Sequence, residues 1–284
     1  MELLTVNPNL SREFLKDTLK VSEQTARLLK GIFDNRHLFH YRENTFDTEK
    51  LELVLADIHF PYQNKMALDT VMNRMTEKKY DYITLLGDTM DMYKASSFTK
   101  DPNRKSMSTE LQETTDFLKT IRNMFPQAKI YYYEGNHEKR IKSIIWKKIP
   151  EISDLFDNLL SKQLGLDELN IMYVDQPFKI GKLWHFHGHE RTGGSPEYIT
   201  NVIMQYVYDS FIVGHFHRKQ DKAFKRINGD IFVGASVGWL GDGKYIDYSI
   251  MNKYTNGFAE IEYDKQGRFR LHNYTIHNGN IYSS

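Results

Sequence analysis

Seven of the 11 histidines are packed into a few short stretches alongside acids, an amide and glycines. These are Asp57-Ile58-His59, Gly135-Asn136-His137-Glu138, the cluster His185, His187 and His189, and the pair His215 and His217. Gly87-Asp88 adds a carboxylate in similar company. A mixed set of imidazole and oxygen donors suits borderline or hard divalent cations such as Mn, Fe or Zn. A carboxylate can bridge two cations, and neutral imidazoles fill further positions without adding charge. Two such cations about 3.5–4 Å apart can activate a water and hold both reacting oxygens of a phosphoryl displacement. The chain has no Cys, which excludes thiolate ligands, Cys nucleophiles and disulfides.

Most of these stretches follow short apolar runs. Leu51 to Ala56 predicts a buried strand ending at Asp57, Tyr82 to Leu86 one ending at Gly87-Asp88, and Ile130 to Tyr133 one ending at Gly135. An amphipathic helix carrying Leu111, Phe117, Leu118, Ile121 and Phe125 on one face separates the second from the third. This alternation implies βαβ units and parallel pairing, which places ligands at the carboxyl ends of strands. Leu183 to His187, Ser210 to Val213 and Ile231 to Val233 are further strand candidates, and the tail from Phe258 reads as turn-linked strands. Residues 1–45 look helical instead: Ser11 and Ser22 offer N-caps, with Phe14, Leu15 and Leu19, then Ala26, Leu29, Ile32 and Phe33, at helical spacing. Two domains are therefore expected: residues 1–45, a helical segment with helix-turn-helix character, and residues 46–284, the segment carrying the chemistry.

In their order, the motifs Asp-x-His, Gly-Asp, Gly-Asn-His-Glu, His-Gly and Gly-His-x-His over about residues 50 to 235 resemble the calcineurin-like metallophosphoesterase family. The resemblance implies an α/β fold, a four-layer αββα sandwich of two mixed sheets (the metallophosphatase fold). It implies one cation held by Asp57, His59 and His217, a second held by Asn136, His187 and His215, and Asp88 bridging them. Mn2+ is the first expectation, with Fe, Zn, Ni and Mg as alternatives. His187 is preferred to His185 because the family ligand directly precedes Gly, here Gly188; on an alternating strand His185 points to the same side, so the residues alone leave both open. His185 and His189 are then expected to hydrogen-bond behind the ligands. The resemblance makes His137 the group that protonates the leaving oxygen or contacts the phosphate, oriented by Asp91. A buried carboxylate partner would favour the protonated imidazole an acid needs; Asp91 could equally cap a helix. Asn136 and Arg140 are the candidate substrate contacts.

Departures from the family pattern bear on the substrate. Protein phosphatases of the family continue with Arg-Gly after the second Asp of Gly-Asp-x-x-Asp, where this chain has Met92-Tyr93. Family nucleases that act on DNA breaks carry a long cap after the last motif, and only 67 residues follow His217. Two basic segments flank the motifs: Lys139, Arg140, Lys142, Lys147 and Lys148, and then Arg218, Lys219, Lys222, Lys225 and Arg226. With Trp146 available to stack a base they suit a polyanion; a solvated helix face and an exposed hairpin are the plainer readings. The leading expectation is metal-dependent hydrolysis of a phosphodiester in a nucleic acid or nucleotide. The rivals are a phosphomonoesterase and a DNA-binding regulator with a metal domain as scaffold. Residues 1–45 hold seven basic and six acidic side chains, a poor DNA surface, so packing against the catalytic part is the preferred role there.

With 38 basic and 37 acidic residues, the chain as a whole is no polyanion magnet, and any such preference must be local. The charged first 20 residues lack the apolar stretch of a signal peptide, and no apolar run approaches the roughly 20 residues that span a bilayer. A cytoplasmic protein with no membrane partner is expected.

Overall fold

Residues 46–97, 99–191, 196–245 and 253–283, together with Glu13, Lys16, Lys20, Ser22, Glu23, Ala26 and Lys30, are described by the structure, a computed structural model. The chain divides into two units, Met1–Phe46 and Asp47–Ser284. In the first, Glu13, Lys16, Glu23, Ala26 and Lys30 are helical, and the Ala26 N–H donates to the Ser22 carbonyl at 2.9 Å. Ser11, the other expected cap, and the apolar stripe except Ala26 lie outside the described residues.

The second unit carries two mixed sheets. The larger has the order β12-β11-β10-β1-β2-β3-β4. Strands β1 (Lys50–Leu55), β2 (Tyr82–Leu85), β3 (Lys129–Tyr133) and β4 (Ile171–Val174) run parallel. Then β10 (Gly257–Tyr263), β11 (Phe269–His277) and β12 (Asn280–Ser283) add on antiparallel beside β1. The smaller has the order β5-β6-β7-β9-β8. Here β6 (Leu183–Phe186), β7 (Phe211–Val213) and β9 (Ile231–Ser236) are parallel, with β5 (Phe178–Ile180) and β8 (Gln220–Lys225) antiparallel at the edges. The second basic segment thus lies partly on an edge hairpin, β8–β9.

Strand alternation sorts the apolar residues into layers. Leu53, Leu55, Ile83 and Leu85 face outward, onto α1 (Lys65–Thr76), α2 (Met107–Met124) and α4 (Leu159–Leu164). Val54 and Ala56 face the other way and pack against Leu183, Ile212 and Ala235, which joins the sheets face to face. On the far side of the smaller sheet, Phe186, Phe211 and Val213 meet Ile199 and Ile203 of α5 (Ile199–Val207). The result is the four-layer αββα sandwich. The helices start where their caps say: Asn64 accepts from the Ala67 N–H (3.1 Å) and Ser106 from the Thr109 N–H (3.2 Å). On α2 the expected apolar face is buried at Phe117, Leu118 and Ile121, and Glu110 is buried beside it. The remaining helix, α3 (Lys139–Lys148), buries no residue.

The Glu52 carboxylate lies between the two sheets. Glu52, 0 % exposed, accepts from Thr84 Oγ1 (2.5 Å) and the Tyr263 hydroxyl (2.6 Å), and His185 Nε2 is 3.1 Å away. His185 therefore belongs to this inter-sheet group; the structure gives it no hydrogen bond to the candidate ligands, contrary to the role expected from the sequence. Replacing Glu52 with Ala strands the Tyr263, Thr84 and His185 groups in the interior. We expect a loss of about 3 kcal/mol or more in urea unfolding, since each buried unpaired group costs about 1–3 kcal/mol; an unchanged midpoint would show that the group contributes nothing.

Candidate metal centre

The carboxyl ends of β1, β2, β3, β6 and β7 converge, and each releases a polar side chain there within four residues: Asp57, Asp88, Asn136, His187, and His215 with His217. The backbone turns abruptly to do so. Asp57 (φ 53°), His59 (57°), Asp88 (49°), His215 (67°) and His217 (57°) all adopt the left-handed region. Such conformations cost non-glycine residues on the order of 1–3 kcal/mol each and collect at functional sites. Two glycines allow the close approach of these turns. A Cβ at Gly135 would collide with the Asp88 carboxylate and main-chain nitrogen, and one at Gly87 (φ +90°) with the His187 ring.

Three groups of possible ligands overlap: Asp57, His59 and His217; Asp88, His187 and His215; and His59, Asp88 and His137. His217 Nε2 lies 3.2 Å from Asp57 Oδ1 and 3.3 Å from His59 Nε2. His187 Nε2 lies 3.2 Å from both Asp88 Oδ2 and Asn136 Oδ1. The imidazoles are held from behind: His187 Nδ1 is 2.7 Å from the Leu86 carbonyl and His59 Nδ1 is 3.0 Å from Asp91 Oδ1. With Nδ1–H donating backward, His59 presents its Nε2 lone pair to the centre, the arrangement usual for a ligating imidazole. Backbone N–H groups steady the acids: His215 donates to Asp57 Oδ2 (2.8 Å) and His137 to Asp88 Oδ1 (2.9 Å). Asp57 Oδ1 is buried and makes no well-aligned hydrogen bond; imidazole nitrogens face it, His217 Nε2 at 3.2 Å and His187 Nε2 at 3.9 Å. An orphaned carboxylate oxygen facing imidazole nitrogens is the donor set a divalent cation satisfies, so the residues present fit the expected ions.

The electrostatics agree. Burial pushes the Asp57 and Asp88 carboxyls upward, yet the surrounding imidazoles, His217 for Asp57 and His137 and His187 for Asp88, outweigh it and hold both below the usual range. Burial pushes His187 down, but Asp88 and Asp57 reverse this and raise it to about 10. Burial lowers His215 to about 4, and it lowers His217 too, which keeps both rings neutral as ligation requires.

The structure brings all the expected site residues together, with two changes of partner. The Asp91 carboxylate, expected to orient His137, is nearer His59 (3.0 Å) than His137 (3.4 Å). His137 Nδ1 instead meets the Asp91 main-chain carbonyl at 2.7 Å. Arg140 donates to that carbonyl (2.8 Å) and to His137 Nε2 (2.8 Å). His189 borders the site through Lys139, whose Nζ is 2.9 Å from its Nε2. Trp146, expected to stack a base, has Lys142 Nζ 5.0 Å from its ring centroid. Sequence reasoning missed two residues. Glu138 accepts from the N–H groups of Asp88, Met90 and Gly135 (3.0 Å each) and from the Tyr132 hydroxyl (3.1 Å), tying two ligand loops together. Its only signal was its place in Gly-Asn-His-Glu. Trp239 stacks on the His217 ring at 4.6 Å, with no signal in the motifs.

No protein-family model matches the sequence, nor does any curated protein. Among solved structures, Vps29 from Cryptosporidium parvum is similar with a TM-score of 0.47 and 14 % identity, covering 84 % of this chain and 97 % of that one. Wild-type Vps29 from Entamoeba histolytica complexed with zinc gives 0.46 and 15 % (82 % and 97 % covered). Nuclease MPE from Pseudomonas putida gives 0.38 and 15 % (82 % and 87 %). At these values nothing about chemistry transfers, and the argument rests on this chain's own residues. No helix among the described residues is long and apolar enough to cross a membrane.

Behind the centre, Glu110 is buried and receives the Met92 N–H at 2.7 Å, while its Oε1 has no partner. Burial and the nearby Asp91 raise its carboxyl to about 8. The folded state thus binds a proton that the unfolded chain releases near its ordinary value of 4.5. Stability should accordingly fall as pH rises from about 4.5 to about 8 and level off above. Glu110→Gln should flatten that slope and stabilise the protein at pH 8, read by urea unfolding across the range; an unaltered slope would count against a buried neutral carboxyl.

Proposed function

We propose that this chain is a dinuclear-metal phosphoesterase of the calcineurin-like kind, hydrolysing a phosphodiester in a nucleic acid or nucleotide. The observation that carries the reading is the overlap of the ligand groups, with Asp88 and His59 each shared by two of them, around the orphaned Asp57 Oδ1. Asp57, His59 and His217 would hold one cation and Asn136, His187 and His215 the other, with Asp88 between; Mn2+ is the first candidate. Bound there, the pair supplies Lewis-acid polarisation of the phosphoryl oxygens and activation of water.

The protein's own groups supply the proton and the grip. His137 Nε2 lies 3.7 Å from Asp88 Oδ2, so it reaches the edge of the centre from the side opposite its Nδ1 anchor. With Nδ1–H donating to the Asp91 carbonyl, Nε2 accepts from Arg140. An anionic substrate drawing the guanidinium onto a phosphoryl oxygen would free Nε2 to take up a proton from solvent and pass it to the leaving oxygen. Arg140 is then a phosphate contact and a gate on the acid. Preference for a diester is supported by the position after Asp91. Met92 is buried in the core there, so no second cation comes from that turn to balance a monoester dianion.

Two substitutions test the reading with the Mn-loaded protein on bis-p-nitrophenyl phosphate and p-nitrophenyl phosphate. Asp88→Asn should abolish hydrolysis and lower metal content measured by atomic emission, because an amide cannot neutralise two cations; two bound metals with normal turnover would refute the dinuclear centre. His137→Ala should keep about two metals per chain while turnover falls about 10²–10⁴-fold, less on esters with good leaving groups. Metal loss in that variant would make His137 a ligand, as the third group of donors permits.

A further inference from the structure

The two flanks of α3 differ in chemistry. Arg140, Ser143, Ile144, Lys147 and Lys148, at helical spacing, line a groove of about 270 Å³ whose other wall is Ala95, Ser96 and Ser97 and whose inner end is Asn136. No carboxylate lines it. The opposite flank, with Lys142 and Trp146, opens on a different pocket bordered by Glu134, Asp157 and Asp175. The basic segment is therefore split by the helix. Its cations at 140, 147 and 148 run outward from the candidate metal ligand Asn136, whereas Lys142 faces acids.

Resting on the phosphodiesterase reading, we infer that this groove holds a single strand of nucleic acid, one phosphate at the metal centre and the next ones leading out along α3 to Lys147 and Lys148. From Arg140 to Lys147 the helix rises ~10.5 Å, at about 1.5 Å per residue. A strand stacked with the axial rise it has in a duplex, ~3.4 Å per nucleotide, would pass about three nucleotides over that length. Arg140 grips the phosphate nearest the centre, Ser143 and Ser97 lie where hydroxyls meet the sugars and phosphates, and the terminal lysines hold the outgoing backbone. The Ile144 side chain gives a base an apolar surface.

The test is binding of a labelled 12-nucleotide oligo(dT) to the full chain, read by fluorescence anisotropy over a salt series with EDTA present so that cleavage plays no part. Lys147→Ala/Lys148→Ala should weaken binding by about tenfold and reduce the salt slope by about 1.4, about 0.7 for each lost contact. Lys147→Ala alone should lower the slope by about half that, while Lys142→Ala, an equal charge loss on the other flank, should leave it unchanged. The double variant should turn over bis-p-nitrophenyl phosphate within about twofold of the parent, because these lysines act only on a longer substrate. Equal losses from Lys142→Ala and Lys147→Ala, or no loss from the double variant, would overturn the inference. Displacement of the oligonucleotide by poly-glutamate as readily as by unlabelled strand would overturn it in favour of an acidic protein partner, and equal affinity for duplex would overturn the single-strand assignment. The two readings fail separately: intact groove binding without diester turnover removes the activity, and diester turnover without groove binding removes the groove.

Discussion

Asp57 and Asp88 are both buried, and each raises the other's cost of ionisation. Two carboxylates in such a place cannot both be charged unless cations stand between them. The protein answers with imidazoles, and His187, 3.2 Å from Asp88 Oδ2 and 3.9 Å from Asp57 Oδ1, is the ring pulled furthest toward protonation. A divalent cation does the same work better, since it replaces that proton and also satisfies Asp57 Oδ1. His215 and His217, kept neutral by burial, would offer such a cation lone pairs without adding charge of their own.

Keeping those groups together requires a backbone bent against its preference at five candidate ligand positions, and the bend must be supported from elsewhere. Glu138 does much of this by receiving three backbone N–H groups from the two loops that carry Asp88 and Asn136. Burial and the Asp88 charge raise its carboxyl to about 7, so this support too is bound into the electrostatics of the centre. The two sheets supply the rest. Parallel β1, β2 and β3 bring three of the loops to one edge, and β6 and β7 bring the histidine loops to meet them across the shared core.

How much of this could be read from residues alone follows from where the information sits. Leu51 to Ala56 was legible as a strand because central parallel strands are apolar on both faces, and Asp57 was legible as a site residue because a polar residue ends such a run. Strand β4, with Met172 exposed, and β5, of three residues, carry no such pattern and were not found; β8, largely exposed, was legible only as an exposed hairpin, the plainer reading of its basic residues. Glu110 is one more polar position on α2 in the sequence; its burial and its contact with the Met92 N–H, 18 residues away, come from the fold. Asp91 illustrates the same limit at the site: its motif pairs it with His137, but the fold also brings it against His59, 32 positions away.

The placement of α3 joins the chemistry to the substrate. A helix with no fully buried residue, only Ile141 packing partly against the core, gains little from packing, and at ten residues it is too short to be stable alone. It is held instead at its first turn, where Glu138 ties into the ligand loops and Arg140 into the Asp91 carbonyl and His137. The same turn aims the helix N-terminus, with its partial positive charge, toward the centre. Arg140, which helps fix α3 in place, is thus also the residue that would touch a reacting phosphate, and whatever ran along the basic flank would reach the candidate metal centre in a set register. A substrate that ended at the reacting phosphate would have no use for that flank; a chain of phosphates would.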